Sequence, residues 1–194
     1  MLLNFNDFRF LVENVDENVV LSFGRMNPPT IGHQKLMKKI VEVAKRNNAI
    51  PMLFLSHTQD RKKNPLSYVD KLRFVKSGAP KELQVMNSPA KTLFEVVEKL
   101  SSIGYKNFWI VCGSDRVNDF NKLKNYQDLY GYSTLEVVSA GFRDADSEDA
   151  TSSISASKLR EFAKNDDYDS FSKNAGCSKN LVKEMYDLVK NNMK

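Results

Sequence analysis

The sequence predicts an α/β protein, a five-stranded parallel sheet covered by helices on both faces. Three observations carry this reading. Five short runs, Val19 to Phe23, Pro51 to Ser56, Leu83 to Met86, Phe108 to Cys112 and Leu135 to Ser139, are apolar enough to be buried parallel strands. Helical patterns separate most of them, and strand–helix alternation is the mark of parallel βαβ units. Two runs end directly in glycine turns, Gly24 and Gly113-Ser114-Asp115. In such sheets ligands bind beyond the C-terminal strand ends, where the strand order reverses, so both turns are expected to face one cleft.

Taken in order, the chain opens on 4–14, where Phe5, Phe8, Leu11 and Val12 share one side of a short amphipathic helix. This divides the chain into an N-terminal helical segment, 1–17, that caps the domain or meets a partner, and a domain, 18–194, ending in helices. After the first strand, Leu36, Met37, Ile40, Val41 and Ala44 recur at helical spacing from His33 to Asn47. The second strand begins at Pro51, a position where proline is tolerated. A polar stretch from His57 to Pro65 follows it, then a helix over about 68–76. Ser88 is placed to cap a helix starting at Pro89, carrying Leu93, Phe94, Val96, Val97 and Leu100, and stopping near Gly104. After the fifth strand comes an acidic connection, 143–153, with Asp144, Asp146, Glu148 and Asp149, read as a solvated loop. Helices are expected around 157–165, 168–174 and 180–192.

Composition bounds the function. At 194 residues, 41% hydrophobic and 27% charged, the chain is an ordinary globular protein able to bury a core of its own. Lys and Arg outnumber Asp and Glu 29 to 24, for a net charge of +5 and a pI near 9.1. That balance suits small anionic substrates and is too diffuse to argue for nucleic acid. Cys112 and Cys177 make no CxxC pair or disulfide framework, and Cys112 lies inside an apolar run. Charge arrives early at the N-terminus and no apolar run is of membrane-spanning length, so neither signal peptide nor membrane association is expected. Two histidines, His33 and His57, are too few for a His-built metal site.

The chemistry concentrates in Gly24-Arg25-Met26-Asn27-Pro28-Pro29-Thr30-Ile31-Gly32-His33. Strand, glycine loop, then helix start is the arrangement that turns backbone N–H groups and a positive helix end toward a phosphate. Thr30 is a good N-cap, and His33, three residues on, shares its helix face. Hydroxyl, imidazole and dipole are then aimed at one oxyanion. A second helix opening, Ile154-Ser155-Ala156-Ser157-Lys158-Leu159-Arg160, repeats the theme, with Arg160 three residues past Ser157 and able to grip phosphate oxygens in two-pronged fashion.

The first segment resembles the G-x-F-x-P-x-[HT]-x-G-H signature of the nucleotidyltransferase superfamily, and the second resembles its I-S-S-T-x-x-R motif. The resemblance covers about 18–165, and the chain also looks like nicotinamide-nucleotide adenylyltransferase-like proteins of tailed bacteriophages. It implies a Rossmann-like three-layer α/β/α fold and transfer of a nucleoside monophosphate, favoured as AMP from ATP, to a phosphorylated small molecule with release of pyrophosphate. Any metal would be Mg²⁺ carried by the NTP. Thr30, His33 and Arg160 are implied as catalytic. Phe23, Gly24, Arg25, Met26, Asn27, Gly32, Gly113, Asp115, Ile154, Ser155 and Ser157 are implied to bind the nucleotide.

Val111-Cys112-Gly113-Ser114-Asp115 is similar to the G-[AGS]-D block of nicotinamide mononucleotide adenylyltransferases, which favours that acceptor. Tyr126 stands about where that family has a Trp stacking on the pyridine ring, and Lys62 and Lys63 (with Arg61) where relatives place a basic residue for the acceptor's phosphate. Met26 replaces a usual aromatic and Thr30 a usual His, and Thr there resembles phosphopantetheine adenylyltransferases and their relatives. The alternative within the enzyme class is a cytidylyltransferase making a CDP-alcohol. A catalytically idle nucleotide-binding or assembly module is the reading from another class. A cytoplasmic location is expected, the host's if the chain is viral, and homo-oligomerisation is left open.

Overall fold

The computed structural model describes residues 17–141 and 154–193. The expected 4–14 helix and the 143–153 acidic connection lie outside the described residues. The described part divides into two compact units, one of 17–24, 36–56 and 80–141, the other of 25–35, 57–79 and 154–193.

The first unit is built on β1 (Asn18–Gly24), β2 (Ile50–Leu55), β3 (Gln84–Val85), β4 (Asn107–Cys112) and β5 (Thr134–Ser139). They form one sheet in the order β3-β2-β1-β4-β5, every neighbouring pair parallel. This is the Rossmann-like α/β arrangement. Val19 to Gly24 pair with Ile50 to Leu55 on one side of β1, and Leu21 lies against Ile110 on the other. The order reverses between β1 and β4, so the C-terminal ends of these strands, leading into Gly24 and Gly113, stand side by side.

Helix α1 (Ile31–Arg46) runs on from β1, with its first turn assigned to the second unit. Its apolar stripe, Met37, Ile40, Val41, Val43 and Ala44, is buried as the periodicity predicts. Helix α3 (Leu93–Ser102) packs Leu93, Val96, Val97 and Leu100 into one core with Val19, Leu21, Met52, Phe54, Phe108 and Ile110. It begins four residues later than its sequence suggests. Ser88 Oγ accepts from Ala90 N, a local turn bond, whereas Thr92 Oγ1 caps Glu95 N at 3.2 Å and the Glu95 carboxylate takes Lys91 N. The cap at Thr92 wins because its hydroxyl satisfies a helix-end donor while the Glu95 carboxylate holds the N–H of the residue before the cap. Between β4 and β5 lie two short helices, α4 (Val117–Asn121) and α5 (Gln127–Tyr130), too brief to show a period in the sequence.

The second unit gathers α2 (Tyr68–Gly78), α6 (Ala156–Lys164), α7 (Tyr168–Asn174) and α8 (Val182–Asn192). Its core is Leu66, Phe74, Leu159, Ala163, Phe171, Val182, Met185, Tyr186 and Val189. Each of the first three helices has a side-chain cap, from Ser67, Ser155 and Asp167. Among the described residues no helix is long and apolar enough to cross a membrane.

One core group stands out. Tyr105 is fully buried, and its hydroxyl finds no hydrogen-bond partner among the described residues. Burial pushes its pKa up to about 12. Tyr105→Phe removes a desolvated hydroxyl while keeping the ring, so unfolding free energy should be unchanged or raised by about 1 kcal/mol in urea titrations. A clear loss of stability would show that the hydroxyl is satisfied in solution.

Candidate active site

The segment leaving β1 is shaped by buried polar groups. Arg25 is exposed, but Met26 (2%), Asn27 (2%), Pro28, Pro29 and Thr30 (1%) are buried. Met26 sits at φ 41°, a left-handed backbone, and the Asn27–Pro28 peptide is cis. Both polar ends of the Asn27 amide are taken by one residue: Nδ2 donates to Leu66 O and Oδ1 accepts from Leu66 N, each at 2.9 Å. The side chain that the motif assigns to the nucleotide thus ties this loop to the start of α2.

Thr30 and His33 come together as their spacing predicts, but the pair is turned on itself. His33 N donates to Thr30 O (2.9 Å) and to Thr30 Oγ1 (3.3 Å), so Thr30 does cap α1. The Thr30 backbone N–H in turn donates to His33 Nδ1 at 3.0 Å, with Thr30 Oγ1 also 3.0 Å away. A backbone N–H can only donate, so Nδ1 is the acceptor and the neutral ring carries its proton on Nε2. The expectation that both side chains project outward is corrected for Thr30. Its hydroxyl is buried and orients the ring.

The α6 opening meets this one. Ser155 Oγ caps Lys158 N at 3.2 Å. Arg160, half-buried, donates from Nη2 to Ser157 Oγ (2.9 Å) and from Nη1 to Asn27 O (2.8 Å). A Cβ on Gly32 would lie 3.5 Å from Ile154 O and 3.4 Å from Thr30 Oγ1, ordinary contact, so the residue before the α6 cap lies against the first turn of α1. Two positive helix ends are therefore adjacent. Burial, then the nearby Arg25 guanidinium, lowers the Arg160 pKa, and Asp60 opposes them. A cation pressed by another cation in a partly desolvated place is suited to an anion.

The polar stretch after β2 forms a tight turn closed by the Asp60–Asn64 bridge. Asp60 Oδ1 accepts from Lys62 N (2.9 Å) and Lys63 N (2.7 Å), and Oδ2 from Asn64 Nδ2. These bonds, Lys63 N first, hold its carboxyl below the usual range. Arg61, Lys62 and Lys63 are all exposed around it. The turn is anchored behind: His57 stacks on Tyr68 at 3.9 Å, and Lys71 Nζ lies 3.5 Å from Thr58 O. Lys71 is fully buried, and burial lowers its pKa to about 8.

Four expected residues and Tyr126 lie in the first unit. Phe23 and Gly24 close β1, and Gly113 leads into the Ser114–Arg116 turn with Asp115 exposed. Tyr126 is 38% exposed, packs edge-on against Phe94 at 5.2 Å and stacks with Tyr130 at 5.5 Å. Among the described residues no cluster of three or more His, Cys, Asp or Glu side chains is placed to hold a metal ion. Sequence reasoning missed Asp60 as the organiser of the basic turn and Lys71 behind it. An Asp four residues before Asn64 was a readable turn signal. Nothing local marks a buried lysine.

A family model described as cytidylyltransferase-like matches residues 21–162. No curated protein matches in sequence. Among solved structures, a putative nicotinate-nucleotide adenylyltransferase from Vibrio parahaemolyticus is similar, with TM-score 0.54 at 16% identity, covering 89% of this chain and 98% of that one. A macrolide-efflux protein from Streptococcus pneumoniae has TM-score 0.49 at 18% identity, covering 82% of this chain and 55% of that one.

The Lys71 environment makes a signed prediction. Its folded pKa, about 8, lies below the ordinary 10.5, so between those values the unfolded chain binds more protons and stability rises with pH. Below pH 8 both states are charged and the burial penalty is fully present. Lys71→Met should therefore lose the parent's rise in stability between pH 8 and 10.5, so that the difference between the two proteins changes with pH in chemical denaturation. A pH-independent loss of stability in the variant would contradict the assignment.

Proposed function

Because this chain belongs to the cytidylyltransferase-like family, and so to the nucleotidyltransferases, we propose that it transfers AMP from ATP to a phosphorylated acceptor, favoured as nicotinamide mononucleotide. An acceptor phosphate oxygen attacks the α-phosphorus in line, and pyrophosphate leaves. The protein supplies position and charge rather than a covalent nucleophile.

The observation that best supports this is Arg160, held half-buried where the α1 and α6 openings lie side by side. In the proposed roles, the His33 Nε2–H donates to an α-phosphate oxygen as charge builds there, and Thr30 holds the ring's tautomer. Arg160 and the α6 opening, with Ile154, Ser155 and Ser157, take the β- and γ-phosphates. Phe23, Gly24, Arg25, Met26, Asn27 and Gly32 form the loop along which the nucleotide lies, the Asn27 side chain acting through the loop's shape. Gly113 and Asp115 bind the nucleoside part. Lys62 and Lys63 receive the acceptor's phosphate, and Tyr126 its ring. Any Mg²⁺ would come as part of the NTP substrate and would screen its phosphate charge.

A pyrophosphate-release assay tests this with ATP and CTP crossed with nicotinamide mononucleotide, nicotinate mononucleotide, phosphopantetheine and phosphocholine. ATP with nicotinamide mononucleotide should turn over. Turnover with CTP alone would overturn the adenylyl assignment, and NTP binding without turnover on any acceptor would overturn the enzyme. His33→Ala should fold and lose roughly a hundredfold or more in kcat. A folded variant at full activity removes His33 from the chemistry.

A further inference from the structure

The Ala175-Gly176-Cys177 segment after α7 belongs to neither sequence motif, yet it touches Thr30 more closely than any side chain would permit. A Cβ on Gly176 would stand 2.4 Å from Thr30 O, 2.6 Å from Thr30 C and 2.7 Å from Thr30 N. From the opposite side, a Cβ on Gly78, the last residue of α2, would stand 2.2 Å from Gly176 O. Three main chains are thus stacked without intervening side chains: the end of α2, Gly176 and Thr30. Neither glycine has a left-handed φ, so closeness alone demands glycine here. The stack is stitched together, with Gly176 N donating to Pro29 O at 3.1 Å and Thr30 bridging Ala175 in antiparallel fashion.

Thr30 is the residue whose backbone N–H selects the His33 tautomer, and its carbonyl accepts from His33 N and Gln34 N. Its main chain is therefore bonded forward into α1 and pressed from behind by Gly176. We infer that Gly176 is a positioning residue for the transfer reaction, setting the Thr30 main chain so that the His33 ring is held by Nδ1 and presents Nε2. Relieving a 2.4 Å contact to an ordinary 3.4 Å requires about 1 Å of displacement, and the atoms met are backbone with nowhere to fold away. An error of about 1 Å in a catalytic group is enough to cost on the order of a hundredfold in rate. The inference rests on the proposed role of His33. It also adds the chain after α7 to the apparatus that sets the catalytic geometry.

Gly176→Ala is the direct test. In the folded variant kcat should fall at least about tenfold while KM for ATP stays within about threefold, because the phosphate-binding groups on α6 are untouched. ¹⁵N NMR of the imidazoles should show His33 leaving the single Nε2–H form. Val189→Ala, in the core of the same unit, should lower the melting temperature yet leave kcat and the His33 ring signal alone. Should Gly176→Ala fail to fold, Gly78→Ala presses the Gly176 carbonyl from the α2 side, pushes Gly176 against Thr30, and should give the same kinetic and ring signature. A folded variant at either glycine with parental kcat and an unchanged ring signal overturns the inference. The ring signal is read without turnover, so an inactive parent protein would sink the proposed function while leaving this readout intact.

Discussion

The structure of the site depends on holding two positive helix ends against each other. A Cβ added at Gly32, in the first turn of α1, would reach the carbonyl oxygen of Ile154, the residue before the α6 cap, and Arg160 bridges to Asn27 O. Arg25 adds a second guanidinium to the same neighbourhood. Left to electrostatics alone, these groups would part. What opposes them is packing: the apolar core of α2, α6, α7 and α8, the doubly bonded Asn27–Leu66 tie, and the backbone stack behind Thr30. A polyanion placed there would be attracted by both guanidiniums and by both helix ends.

The first unit supplies a parallel sheet whose order reverses between β1 and β4, the usual location of a ligand crevice in open α/β sheets. The second holds His33, Arg160 and the basic turn organised by Asp60, the residues proposed to meet phosphate. Much of the second unit's sequence lies outside the strand–helix repeat, in the turn after β2 and the helices after β5.

What could be read from sequence alone follows the range of each interaction. The strands were legible because buried parallel strands are continuously apolar, and the Thr30–His33 and Ser157–Arg160 pairs because residues three apart on a helix meet. The start of α3 was misplaced because Ser88-Pro89 imitates a helix opening, while the stronger cap at Thr92 depends on the partner four residues after Lys91. Asn27 with Leu66 and Gly176 with Thr30 are invisible to any local pattern, being made across long stretches of chain. The burial of Lys71 is equally tertiary, since its helix position reads as solvent-facing from composition alone.

The central claim is that the α1 and α6 openings grip one triphosphate together. Amide chemical shifts during titration with the non-hydrolysable α,β-methylene analogue of ATP test it most directly. The account predicts that the amides of 31–33 and 156–158 shift in step, along one saturation curve. Saturable shifts at one opening with the other unmoved would contradict it.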